Sequence, residues 1–181
     1  MIKSLKISIR VFFNNMRAII SKKLADSGFG GVVNGWTELN VQHIRNGKVI
    51  RTRRILNKCV TDAFVQQIVN ALQAISGDVT GIQTYKYHAS GTGTTAEAAA
   101  QTALVTEVGS RVVGTQVEGT ANQYKSVATV TYAGTYAITE HGLLNAVAAG
   151  TLMDRTLFSA VNVISGDSIQ FTFTITFNSG G

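Results

Sequence analysis

Three histidines, His43, His88 and His141, an adjacent acid–base pair, Glu140-His141, a glycine turn, Gly91-Thr92-Gly93, and a single cysteine, Cys59, are the residues on which chemistry would first draw. A zinc centre wants three or four close nitrogen, sulfur or oxygen ligands, and these histidines are scattered, none in an i, i+4 pair with a carboxylate or thiol. Glu140 beside His141 has the composition of a base with its orienting acid. Neighbours on a strand point to opposite faces, however, so the two are poorly placed to bond each other. A turn or polar-surface position is expected for both, and Asp154-Arg155 reads likewise as a polar strand face or a local ion pair. No serine stands in a Gly-x-Ser-x-Gly elbow.

The run "GTGTTAEAAA" from Gly91 loosely matches a glycine-rich nucleotide loop. A dinucleotide fingerprint needs repeated βα units and a ribose-binding acid, and a P-loop needs Gly-Lys-Ser or Gly-Lys-Thr; no Lys follows here. A flexible turn leading into a short helical stretch near residues 96–108 is the expectation. Cys59 has no cysteine to pair with inside the chain and reads as a small buried hydrophobe. No catalytic residue, cofactor or metal is assigned, and the chain is expected not to be an enzyme.

The elements that would position these residues are mostly strands. In "DSIQFTFTITF", Ile169, Phe171, Phe173, Ile175 and Phe177 share one parity and Gln170, Thr172, Thr174 and Thr176 the other, which predicts one apolar and one threonine-lined face. Residues 36–56 read as a hairpin around Asn46-Gly47, the dipeptide best suited to the positive φ angles of a tight turn. Phe64, Val65, Ile68, Val69, Leu72 and Ile75 recur at helical spacing, capped by Thr61 or Asp62 and ended by Gly77, predicting a helix over about 61–76. Short β-prone runs separated by glycine fill 82–178. The expected fold is mainly β: an antiparallel β-sandwich or barrel-like body, residues 36–181, with one packed α-helix.

Charge is polarised along the chain. Residues 1–58 carry twelve Lys or Arg against two acids, a balance of +10, and the remainder carries four against eight, a balance of −4. Residues 1–35 read as an extended basic amphipathic arm followed by a glycine-rich hinge, "DSGFGGVVNG". The arm supports two periods: Ile2, Leu5, Ile9, Phe12, Met16, Ile19 and Leu24 fall near helical spacing, while Leu5, Ile7, Ile9, Val11 and Phe13 alternate as a strand would. A helix lying on a membrane surface and an organelle transit peptide fit that pattern too; an arm laid along a partner subunit is preferred. Lys3, Lys6, Arg10, Arg17, Lys22 and Lys23 would then steer it, Ile9, Phe12, Phe13 and Met16 would anchor it, and Arg51, Arg53 and Arg54 of the hairpin would meet an acidic partner. Single-strand nucleic-acid binders interleave cations with stacking aromatics, and Phe12 and Phe13 fit an apolar stripe better, which leaves general phosphate contact as a secondary reading. No run approaches the roughly 20 apolar residues of a membrane span, and a soluble chain is expected.

From residue 59 to 178 the sequence resembles a family of small structural proteins of tailed bacteriophages. The matching residues are Gly91 to Gly93, Thr102 to Leu104 with Glu107 and Arg111, Ile138 with Glu140, Gly142 and Leu143, Gly150 to Leu152 with Arg155 and Phe158, and the strand Asp167 to Phe177. The resemblance does not extend to the arm. It implies a non-enzymatic structural protein of the virion, assembled in the host cytoplasm, whose partners are the major capsid protein or other virion subunits and which forms homo-oligomers there. The preferred expectation is a capsid decoration or cement (minor capsid) protein bound through its arm. A tail, adaptor or fibre-associated subunit is the alternative.

Overall fold

The computed structural model describes residues 34–56, 59–72, 82–118, 120 and 122–178. Of the arm and hinge expected over 1–35, residues 1–33 lie outside them and residues 34–35 are strand rather than hinge; the Gly77 helix stop and the side chain of Cys59 also lie outside. The strands are β1 (Asn34–Arg45), β2 (Lys48–Leu56), β3 (Cys59–Val60), β4 (Tyr87–Gly91), β5 (Glu107–Val113), β6 (Thr115–Glu118), β7 (Gln123–Thr131), β8 (Tyr136–Leu144), β9 (Leu152–Val163) and β10 (Ser168–Asn178). One helix, α1 (Asp62–Leu72), and a single 3₁₀ turn, Ile82–Thr84, complete the described elements.

The first two strands form the hairpin that the sequence predicts. Arg45 pairs with Lys48, and Asn46 and Gly47 both take positive φ, 50° and 72°, the combination that lets a two-residue turn follow the twist of its strands. Helix α1 begins where Thr61 places its hydroxyl to accept from the Phe64 amide at 3.3 Å, satisfying one of the amides that a first helical turn leaves unpaired.

The strands build two antiparallel five-stranded sheets, ordered β2-β1-β10-β7-β6 and β3-β9-β8-β4-β5. Residues Gly35–Thr176 form one compact unit. Its main core takes Leu39, Val41, Val130, Ile169, Phe171, Phe173 and Ile175 from the first sheet and Ile138, Leu143, Met153, Val161 and Val163 from the second, so the sheets close on each other as a sandwich. Helix α1 adds Phe64, which meets Tyr85 edge-to-face at a centroid distance of 5.0 Å.

A second, smaller cluster of Ala89, Leu104, Leu144 and Leu152 lies apart from the main core, with Tyr87 packed against it. Through it β4, β8 and β9 are buried on both faces over part of their length: every residue of 140–144 and of 152–156 is buried. What covers the outer face there is the long connection 92–106, which joins β4 to β5. The helical stretch expected near 96–108 is not formed. Residues 107–113 are strand, and 92–106 follow the sheet surface because tertiary bonds to β8 and β9, described below, outweigh the helix propensity of the alanine run.

The chain changes sheet at Gly114, between β5 and β6. A Cβ there would lie 2.6 Å from Ser126 Oγ and 2.7 Å from His88 Nε2, so only glycine lets the corner pass over those two side chains. On β10 the predicted apolar parity holds from Ile169 to Ile175. Phe177 is 38% exposed and Thr174 and Thr176 are buried, against the expectation that the odd face alone would be covered to the end of the strand.

Candidate functional site

His88, His141, Glu140, Asp154, Arg155 and the glycine turn Gly91 to Gly93 are gathered around β8, on its two faces. Glu140 and His141 are fully buried, and so are Asp154 and Arg155 on the adjoining strand β9. The polar-surface reading of these four is therefore corrected: both faces of β8 and β9 are covered here. The opposed directions expected of neighbours on a strand are observed. Glu140 turns outward, beneath 92–106, and His141 turns into the space between the sheets.

On the outer face the Glu140 carboxylate accepts four hydrogen bonds. Gly93 N and Thr106 N donate to Oε1 at 3.0 and 2.8 Å, Val105 N donates to Oε2 at 3.1 Å, and Arg155 Nε donates to Oε2 at 2.7 Å. Burial pushes the Glu140 pKa up, but the Thr106 amide, the Arg155 guanidinium and the Val105 and Gly93 amides outweigh it and hold the group below its ordinary value. Arg155 carries the connection further: its Nη1 donates to Thr95 O at 3.0 Å and Gln101 Oε1 at 3.1 Å. Its Nη2 is buried without a hydrogen-bond partner among the described residues.

This arrangement explains the glycine turn. A Cβ on Gly91 would lie 2.3 Å from Thr106 O and 2.5 Å from Glu140 Oε1, and one on Gly93 would lie 2.5 Å from the same carboxylate oxygen. The glycines let backbone amides close on an anion, as they would around a phosphate, but the anion is the chain's own carboxylate. Gly142, opposite Arg155 in the ladder, makes room for Leu104, whose Cδ1 would stand 2.2 Å from an added Cβ. Close by, Arg111 donates to both oxygens of Glu107 and to the carbonyls of Ala146 and Ala149, fixing the β8–β9 loop.

On the inner face His141 Nε2 and His88 Nδ1 are 2.9 Å apart, and His88 Nε2 is 2.8 Å from Ser126 Oγ. Phe171 lies against the His141 ring at a centroid distance of 4.6 Å. Burial pushes His88 down to about 3; burial and then the neighbouring His88 push His141 well below its ordinary value, so both rings are neutral. The tautomers follow from counting donors. His141 donates from Nε2 to His88 Nδ1 and His88 donates from Nε2 to Ser126, which leaves His141 Nδ1, without a partner among the described residues, as a bare acceptor rather than a buried orphan N–H. Ser126 is thus a hydrogen-bonded core serine. The same layer holds Ser90 Oγ against Tyr132 Oη at 2.9 Å and Asp154 accepting from Thr37 and Thr156 hydroxyls at 3.2 and 2.8 Å.

The third histidine belongs to another crossing between sheets. Asp167, in the turn from β9 to β10, bonds His43 Nε2 at 2.9 Å and accepts from Arg45 Nε and Nη2 at 2.9 and 2.7 Å and from the Ile164 amide. Arg45 above all, with His43 and the amide, holds the Asp167 carboxyl far below the usual carboxylate range against the opposing effect of burial.

Of the sequence-predicted partner contacts, Lys3, Lys6, Ile9, Arg10, Phe12, Phe13, Met16, Arg17, Lys22 and Lys23 lie outside the described residues. On β2, Arg53 donates to the carbonyls of Ser159 and Ala160 and Arg54 pairs with Glu38 at 2.6 Å, while Arg51 makes no ion pair among the described residues. An open groove of about 440 Å³ runs between β5 and β7, with Val108, Val112, Val130, Tyr132 and Tyr136 in its lining; Glu140, His88, His141 and Ser126 do not line it. Among the described residues no three His, Cys, Asp or Glu side chains are grouped to hold a metal ion, and no helix is long and apolar enough to cross a membrane.

Sequence reasoning named Glu140 and His141 but missed what they do. The signal was there in Gly91, Gly93 and Gly142, whose missing side chains leave the space that a buried polar cluster needs. No protein-family model, no curated protein and no solved structure matches this chain.

Proposed function

We propose that this chain is a non-enzymatic structural protein of a tailed-bacteriophage virion, a capsid decoration or cement protein that binds capsid subunits through its N-terminal arm. The observation that carries this reading is where the motif residues meet. Gly91, Gly93, Leu104, Glu140, Gly142, Leu152 and Arg155, quoted above for the resemblance, converge on one buried cluster that fastens a long connection to a sheet. Such a cluster is bound up in internal hydrogen bonds and offers no reacting group to solvent.

Charge supports the same reading. Within the body Arg45, Arg53, Arg54, Arg111 and Arg155 all donate to internal acceptors. Residues 1–33 carry six Lys or Arg against one acid, +5 of the net +6, which makes the arm the place where attraction to an acidic partner is concentrated. An arm of this kind adds contact area to an assembly with little added mass.

Deletion of residues 1–30 tests the proposal. Binding of the truncated chain to purified particles, read by subunit counting, is expected to be lost, and full occupancy would eliminate the arm as the binding element. The copy number of the intact protein separates shell from tail: a lattice-like stoichiometry fits the proposal, and one matching a ring or small trimer points to an adaptor or fibre-associated subunit.

A further inference from the structure

The connection 92–106 has no helix or strand of its own and most of its side chains are exposed. Leu104, 8% exposed, is its one buried apolar side chain. Everything else that holds it is polar. Besides the bonds to Glu140 and Arg155, Thr139 Oγ1 donates to Gly93 O at 2.8 Å, the Leu157 amide donates to the Glu97 carboxylate, and the Asp62 amide donates to Ala99 O at 2.9 Å.

We infer that residues 92–106 form a strap that opens as one unit, latched at its base by Glu140, and that its opening uncovers Tyr87, Ala89, Leu144 and Leu152 while the two sheets stay joined. Three features of the geometry lead there. Both ends of the strap, Gly93 on one side and Val105 and Thr106 on the other, are tied to the same carboxylate, and the Thr92 amide donates to Thr106 O at 2.9 Å, so losing that one group loosens both ends together. The strap's apolar anchor belongs to the small cluster and the inter-sheet core takes no residue from 92–106, so opening leaves the main core intact. The closed state also leaves Arg155 Nη2 buried without a hydrogen-bond partner among the described residues, a cost that is relieved when water reaches it. Regions held by few apolar contacts and many polar ones occupy the low end of the local stability range.

Native-state hydrogen exchange on the full chain tests this without any partner. The amides of Gly93, Val105 and Thr106 are expected to exchange through an opening that depends weakly on denaturant, whereas amides of β10 such as Phe171 and Phe173 follow the steep dependence of global unfolding. Ile175→Val, which removes a methyl group from the inter-sheet core that stays closed when the strap opens, should speed exchange of the β10 amides on the order of two- to tenfold while leaving the strap amides unchanged. If strap and β10 amides share one denaturant slope in the wild-type chain, or if Ile175→Val speeds both alike, the strap does not open separately and the inference falls. The wild-type measurement alone decides the matter should the variant fail to fold.

Discussion

Glu140 and His141 are consecutive on β8, equally buried, and solve the same problem in opposite ways. Glu140 keeps its charge because the outer face of the sheet is covered by a connection whose backbone amides are not committed to a ladder, and three of them together with Arg155 replace the lost water. His141 gives up its charge because the inner face offers only the side chains of facing strands, and its nearest polar neighbour is another histidine. Burial opposes charge on both faces. What differs is the number of free donors that the covering element brings, so the covering element, more than the depth of burial, decides which ionisation state a core residue keeps.

The comparison breaks most visibly by removing the charged side. Glu140→Ala leaves Arg155 buried without its counter-ion and three amides without an acceptor, and a loss of about 3–5 kcal/mol in unfolding free energy is expected from denaturant titration. Retained stability would mean that the latch contributes little and that the glycine turn closes for other reasons.

On the neutral side the lever is pH. Both histidines have folded pKa values below the unfolded value near 6.5, so the unfolded chain binds protons first, and stability is present above that pH and declines as pH falls toward about 3. His88, pushed down to about 3, contributes a loss of about 2 kcal/mol at pH 5, and His141 adds to it in the same direction. Glu140, depressed below its ordinary 4.5, loses its contribution only as pH falls through its lower folded value. The window from pH 6.5 to 4.5 therefore reports the inner face. His88→Gln should roughly halve the slope of stability against pH there, and an unchanged slope would show that the pair is not what titrates.

The sequence made the scaffold legible where one local rule sufficed. Alternation identified Ile169, Phe171, Phe173 and Ile175, and Asn46-Gly47 identified a hairpin whose φ angles agree. Alternation names faces but not what lies on them, and it fails at the end of β10, where Phe177 is half exposed and Thr174 and Thr176 are buried. The same gap hid the polar cluster. Polar residues inside strands read as solvent-facing when nothing local reveals a second covering layer, and 92–106, rich in alanine, reads as a helix until Glu140 and Arg155 are seen to hold it.

Two glycines sharpen the contrast at smaller cost. Gly91→Ala crowds Thr106 O and the Glu140 carboxylate; Gly114→Ala crowds Ser126 and His88. Each is expected to cost about 1–3 kcal/mol by overpacking. They should differ in what else they change: Gly114→Ala disturbs the slope between pH 6.5 and 4.5, and Gly91→Ala leaves it as it was. Indistinguishable pH profiles would mean that the two faces are not electrostatically separate.

The smallest effect is expected from Arg54→Ala, and it tests the premise of the comparison. Arg54 and Glu38 stand 2.6 Å apart, at least as close as Arg155 and Glu140 at 2.7 Å, yet the side chains are 63% and 24% exposed against 1% and 0%. If distance set the worth of an ion pair, the two would matter equally. Water that already solvates Arg54 replaces its partner when the pair is broken, whereas nothing replaces Glu140 for Arg155. Arg54→Ala should leave the denaturation midpoint unchanged, in low salt and high; a loss comparable to that of Glu140→Ala would show that the covering of the outer face is not what makes its charges indispensable.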